Sequence, residues 1–348
     1  MVQLQLLVTD QSGDPLSPAI LHIYAASQGT AGKPAGRFYG NENGLIEARF
    51  QKNEPAILKV AAAWHRPVEI FIPSTALNEL SVEVVPSSIL KNDPVRPALI
   101  GDFNHFDPFN RVEMELNADG LWTAVIETEK PIIRYQITGF AQTHLIHGTD
   151  GKLEVDLDLQ GIVSSLEPDE DGIARILFDP AQFPTAERRA DLRFSPDVPL
   201  MIRGVAKIYN SMREQAALVS LHRENDEDVV ELFEEYLDHV EHIKESFNHH
   251  KVEQAYRLSK ARFTDYLQLG SQFIDNLLRD VESNSELWLF DSRFVHDLFT
   301  NSSKMEPVSK DIWDIYRQHQ FEEIQSEALY SLLNYHYDRG EDEEWHEA

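Results

Sequence analysis

The chain opens with VQLQLLVTD, in which apolar and polar residues alternate. A period of two puts Val2, Leu4, Leu6 and Val8 on one face of a strand. AILHIYAA, LIEARF, AILKVAAAW, PVEIFIP and LSVEVVP follow as short apolar-rich runs, separated by turns such as QGTAGKPAG and GNENG. The pattern predicts a small all-β sandwich over 1–88. Trp64, in AAAWHRP, stands at a strand end. It reads as a buried ring, with a contact patch shared with His65 as the other reading.

SSILKNDPVRP, with two prolines and an Asn-Asp pair, reads as a linker. PALIGDFNHFDP then reads as a strand ending at a turn. RVEMEL and LWTAVIE alternate around the hairpin turn NADG, and PIIRYQITG and GIARILFDP supply two more strands. A second sandwich is predicted over 89–183.

After FDPAQFPTAERRADLRFSP glycine becomes rare, strands disappear and apolar residues fall at helical spacing. Between Leu200 and His222 they are Ile202, Val205, Ala206, Ile208, Tyr209, Met212, Ala216 and Val219. Asn225 or Asp226 is placed to cap the next helix, DVVELFEEYLDHVEHIKESF. His249 and His250 would close that helix, where cations are favoured. A third helix is predicted through EQAYRLSKARFTDYLQLGSQFIDNLLRDV, with shorter ones to the end. Residues 184–348 thus read as an antiparallel helical array. The fold class expected is two all-β immunoglobulin-like sandwiches followed by an all-α helical domain. The close, SEALYSLLNYHYDRGEDEEWHEA, reads as a helical-repeat unit that stops after its first helix, which points to a missing downstream domain.

The length of 348 residues suits two or three domains. A net charge of −28 argues against nucleic acid and against anionic lipid as partners. The absence of cysteine excludes disulfides, thiolate metal sites and Cys nucleophiles. The first residues have neither the basic nor the apolar region of a signal peptide, and no apolar run is long enough for membrane insertion.

The order of a strand, D-x-x-G-x-P, a second strand and NENGLIEARF resembles the carboxypeptidase-regulatory or prealbumin-like domains. There a turn glycine, here Gly44, precedes a strand, and the implied role is scaffolding. In the middle segment, I-G-D-F-N-H-F (Ile100 to Phe106), D-G-L-W (Asp119 to Trp122) and Y-Q-I-T-G (Tyr135 to Gly139) resemble the glycogen-binding, early-set module of the AMP-activated protein kinase β subunit and the isoamylase N-terminal domain. That resemblance implies an α-glucan site, where aromatic rings stack on the C–H faces of pyranoses and polar side chains bond the hydroxyls. The chain departs from the pattern. Phe106 stands at the first ring position, Phe140 and His144 lie near the second, Gln136 replaces a Lys, and Ser164 or Ser165 falls where an Asn is expected. The glycan set carried over is therefore Phe106, Gln136, Phe140, His144 and Ser164. Trp122 matches a hairpin residue that packs inside the module. The order of β modules followed by long helices is also similar to the regions preceding the thioredoxin domain in exported bacterial thioredoxin-like oxidoreductases. Without cysteine, this chain would be only the accessory part.

Little else suggests chemistry. Glu235, His239 and His242 share one side of a helix and could bind a metal with a fourth ligand. The ordinary reading of the same residues is an exposed Glu and His face on an acidic helix. Asp169, Glu170 and Asp171 form an acidic turn without calcium-loop spacing. No phosphate loop and no G-x-S-x-G is present. The late aromatic residues, Trp288 to Tyr337, read as helix packing. The leading expectation is a non-catalytic accessory or interaction region of an exported protein, periplasmic or extracellular, with no cofactor and with a protein or glycan partner. The alternatives are α-glucan binding through the middle module and a metal-dependent enzyme.

Overall fold

The structure, a computed structural model, describes the chain except for residues 1, 31, 51–53, 75–77, 88–95, 142–143, 157–160, 184–188, 225–228, 291–297, 299–305 and 340–348. It is β-rich first and helical afterwards.

The first region holds β1 (Val2–Val8), β2 (Ala19–Ala25), β3 (Gly36–Tyr39), β4 (Leu45–Phe50), β5 (Ala56–Ala62), β6 (Val68–Ile72) and β7 (Glu79–Val85). β1 pairs antiparallel with β4 and parallel with β7, while the second sheet runs β3-β2-β5-β6. Val2, Leu4, Leu6 and Val8 point inward, against Leu21, Ile23, Leu58 and Val60 of the other sheet. Gly44 has φ +69, and a Cβ there would lie 2.4 Å from the Val8 carbonyl oxygen, so this turn requires glycine.

The middle region holds β8 (Ala98–Gly101), β9 (Val112–Glu113), β10 (Glu115–Leu116), β11 (Trp122–Glu127), β12 (Ile133–Ala141), β13 (His144–Ile146), β14 (Lys152–Asp156), β15 (Gly161–Leu166) and β16 (Ile173–Phe178). RVEMEL is not one strand. β9 pairs with β8 in the larger sheet and β10 with β11 in a three-stranded one, and Met114 is buried between them. β3, β13, β14 and β15 were not expected; GRFY, HLI and KLEVD are too short or too polar to show a clear period.

Strands do not end at 183. β17 (Asp191–Phe194) returns to the first region and pairs antiparallel with β7. Its four residues alternate polar and apolar, with Leu192 and Phe194 turned to the first core, but the run is too short to stand out beside the helices that follow. The helices follow: α1 (Leu200–Glu224), α2 (Val230–Phe247), α3 (His250–Ala261), α4 (Thr264–Leu267), α5 (Ser271–Asp280), α6 (Glu306–Gln318) and α7 (Glu322–Arg339). The predicted third helix is thus broken twice, at Phe263, where a new turn starts, and at the left-handed Gln268 before Gly270. His249 does not close α2. Its ring nitrogen accepts from Lys251 N–H and caps α3. Asn225 and Asp226 lie outside the described residues.

The parts share cores. β2 is buried along its whole length because both of its faces are covered. Leu21 and Ile23 face the first core, while Tyr24, with Ile57 and Phe71, joins the helical core containing Ile208, Tyr209, Trp288 and Phe290. Phe71, Tyr209 and Phe290 form a ring cluster with centroids 4.9 to 5.6 Å apart. Glu286 accepts from both Ser74 N–H, at 2.8 Å, and the Ser74 hydroxyl. The middle region is tied in by Trp64, whose ring meets His147 and Phe183 with centroids 4.4 and 5.0 Å apart and whose backbone N–H donates to His147 Nε2 at 2.8 Å. Trp64 is therefore half-buried and an internal contact at once.

Candidate functional site

The loop following β8 is the most tightly pinned exposed segment of the middle region. Asp102 anchors its base, accepting from Arg134 N–H at 3.0 Å and from the Arg134 guanidinium at 3.1 and 3.2 Å. Gly101 permits this approach, since a Cβ would lie 2.5 Å from Arg134 O. Asn104 Oδ1 accepts from Gly101 N–H and Asn104 Nδ2 donates to Asn110 O, both at 2.8 Å, which ties the two ends together. Inside this clasp, His105 and Phe106 both take left-handed backbone, with φ of 58° and 56°. Non-glycine residues adopt that conformation only where surrounding bonds impose it, at a cost of about 1 kcal/mol or more each. Asp107 caps a short turn, Pro108–Asn110, by accepting from Phe109 N–H at 2.9 Å.

The product of this scaffolding is Phe109, whose side chain is 94% exposed. A ring so placed forgoes about 2 kcal/mol of burial. Phe106, the ring singled out from the sequence, is only half-exposed beside it. Of the nine large apolar side chains exposed among the described residues, five belong to the middle region: Phe109, Leu116, Val125, Ile132 and Leu177. Val125 and Leu177 lie on the same outer face of the β10-β11-β16 sheet, because Leu177 pairs with Thr123, two residues from Val125. The sequence signal for Phe109 was only its place between Pro and Asn in a turn.

Of the rest of the glycan set, the two described side chains are both buried. Gln136 is 3% exposed and donates through Nε2 to Ile162 O at 3.0 Å. Ser164 is buried, and its Oγ accepts from Gly148 N–H at 2.9 Å. Both residues are closed to a sugar arriving from solvent. The side chains of Phe140 and His144 lie outside the described residues. Trp122 packs, partly buried, against the middle core.

Of the metal set, His239 and His242 line one cleft beside α1, and Glu235 does not. Glu235 and His242 are exposed, whereas His239 turns inward with Nε2 at 3.1 Å from Ser211 Oγ. Among the described residues no group of three or more His, Asp or Glu side chains is placed to hold a metal ion. Asp169 is occupied by its own turn, with Oδ1 accepting from the Asp171 and Ile173 N–H groups. No described helix is long and apolar enough to cross a membrane.

No family model matches the sequence, and no curated protein matches it. Among solved structures, a streptococcal ancillary pilin is similar at 13% identity and a TM-score of 0.22, over 56% of this chain and 59% of that one. The shaft pilin SpaA from Lactobacillus rhamnosus GG is similar at 10% identity and a TM-score of 0.23, over 56% of this chain and 88% of that one. SusF from Bacteroides thetaiotaomicron is similar at 10% identity and a TM-score of 0.21, over 56% of this chain and 51% of that one. Scores of this size set no common fold over the whole chain.

Proposed function

We propose that the chain is a non-catalytic binding module, the accessory region of an exported protein, and that it recognises a protein partner through the outer face of its middle region. One observation carries this reading: Phe109 stands 94% exposed on a turn whose backbone is fixed by hydrogen bonds and left-handed residues. A backbone ordered in advance spares part of the entropy cost of binding, and exposed aromatic rings are common anchors at interfaces. Val125 and Leu177 extend the apolar area, and exposed Arg111, Glu113 and Glu115 supply a polar rim.

The test is affinity capture from an extract of the cells of origin. Wild-type protein is compared with the double variant Phe109→Ala, Val125→Lys and with Tyr39→Ala, an exposed ring of the first region, as control. The double variant is expected to lose at least about tenfold of the captured partner, while the control does not. Thermal midpoints should stay within about 0.5 kcal/mol of wild type, because all three sites are exposed. Equal capture by all three proteins would sink the reading. Heat released on titration with maltoheptaose, and lost with Phe109→Ala, would move it to a glycan.

A further inference from the structure

Where β17, α1 and α2 meet, the surface opens into a cleft of about 240 Å³. Lys207, Asn210 and Ser211 reach it from successive turns of α1, and His239 and His242 from α2. Asp191 enters from β17, while Leu192, Ile243 and Phe247 give it an apolar wall.

The polar groups are not satisfied among themselves. Asn210 is 3% exposed, and its amide has no hydrogen-bond partner among the described residues. The amide opens onto the cleft, so its two donors and its acceptor are available to an occupant. Ser211 Oγ donates to Lys207 O at 2.9 Å, so its lone pair must accept from His239 Nε2–H at 3.1 Å. That assigns the tautomer of His239 and leaves its Nδ1 as a bare acceptor. Burial, helped by the positive charges of Arg189 and Lys207, holds His239 neutral with a pKa near 4. Lys207 commits one N–H to Asp191 at 3.0 Å and keeps two.

Charge decides the class of ligand. The protein carries −28 overall, yet at His239, on the wall of this cleft, the positive charges of Arg189 and Lys207 stand ahead of the single carboxylate of Asp191. A local positive field in an acidic protein selects an anion. The cleft is smaller than pockets that enclose drug-sized molecules, about 300 Å³ and above.

We propose that this cleft binds a small hydroxycarboxylate, with its carboxylate on Lys207 and the Asn210 amide N–H and its hydroxyl donating to His239 Nδ1. The hydrocarbon part lies against Ile243 and Phe247.

The proposal is tested on the full chain by NMR of the Asn210 amide and His239 imidazole signals during titration with L-malate, succinate and glucose. Malate is expected to move both sets of signals saturably at concentrations up to about 10 mM, and succinate, which lacks the hydroxyl, about tenfold more weakly. Glucose should move neither. Lys207→Met and Asn210→Ala should each weaken malate about tenfold or more. Wild-type protein provides the readout even if a variant folds poorly. The proposal is overturned if no probe shifts these signals, if glucose shifts them as well as malate, or if malate affinity survives both substitutions.

Discussion

Glu214 shows how a single residue can join three parts of the chain. It projects from α1 into a buried space and accepts from Ser87 Oγ, at the end of the first region, and from Ala190 N–H, just before β17, both at 3.0 Å. Burial pushes its pKa up, while Arg66, these two donors and Arg189 pull the other way. Arg66 is itself buried enough for its own pKa to be lowered. Glu214→Ala should therefore cost about 2 kcal/mol, since two hydrogen bonds to a buried carboxyl group vanish and their donors, Ser87 Oγ and Ala190 N–H, are left without it. A urea midpoint within about 0.5 kcal/mol of wild type would contradict this account. Nothing in the sequence marked Glu214, one of 59 acidic residues. Trp64 was legible as a ring at a strand end, but not as a left-handed residue, with φ 68°, that docks a second region.

At the scale of elements, apolar period located α1 and α2 almost to the residue, because each has one wide face in a core. It did not show how deeply α1 is enclosed. Gly204 records that enclosure. A Cβ there would meet Val252 Cγ2 at 2.6 Å and Phe247 Cβ at 3.0 Å, where α1 passes α3. By helix propensity alone Gly204→Ala should stabilise by about 1 kcal/mol. Overpacking of about 1 to 3 kcal/mol acts against it. The expected outcome is a net loss, seen as a lower thermal midpoint; a rise would mean that the α1–α3 contact yields freely. The same tertiary demand explains β2 and β5. Apart from His22 and Lys59 their runs are apolar on both faces, because Tyr24 and Ile57 join the helical core on the face that would otherwise meet water.

Over the whole molecule, joining the parts by buried histidines makes stability depend on pH. His147 accepts from Trp64 N–H at Nε2 and donates through Nδ1 to Gly148 O, at 2.7 Å, so it must be neutral. Burial lowers its pKa to about 4, as it does for His22 and His239. A histidine that titrates near 6.5 unfolded and near 4 folded binds more proton when unfolded between those values. Its stabilisation is complete above about pH 6.5 and is lost as pH falls towards 4, at about 1.4 kcal/mol per pH unit for each such group. Asp150 and Glu214, raised by burial, act with the opposite sign. The thermal midpoint should fall between about pH 6.5 and 4.5, and His147→Gln should flatten that slope by about one proton. Equal slopes for the two proteins would remove His147 from the linkage.

The sequence by itself determined the class of each stretch: strands first, helices after, few reactive side chains and a strongly acidic surface. Alternation and helical spacing are local properties, and local sterics convert them into elements wherever one face is buried. Only the tertiary structure decided which second faces were covered, that β17 would return to the first sheet, and that Phe109 rather than Gln136 or Ser164 would meet solvent. It also decided that Asn210 and His239, from separate helices, would face one cleft. Burial of a residue is a sum over contacts from distant parts of the chain, and no window of neighbouring residues contains that sum.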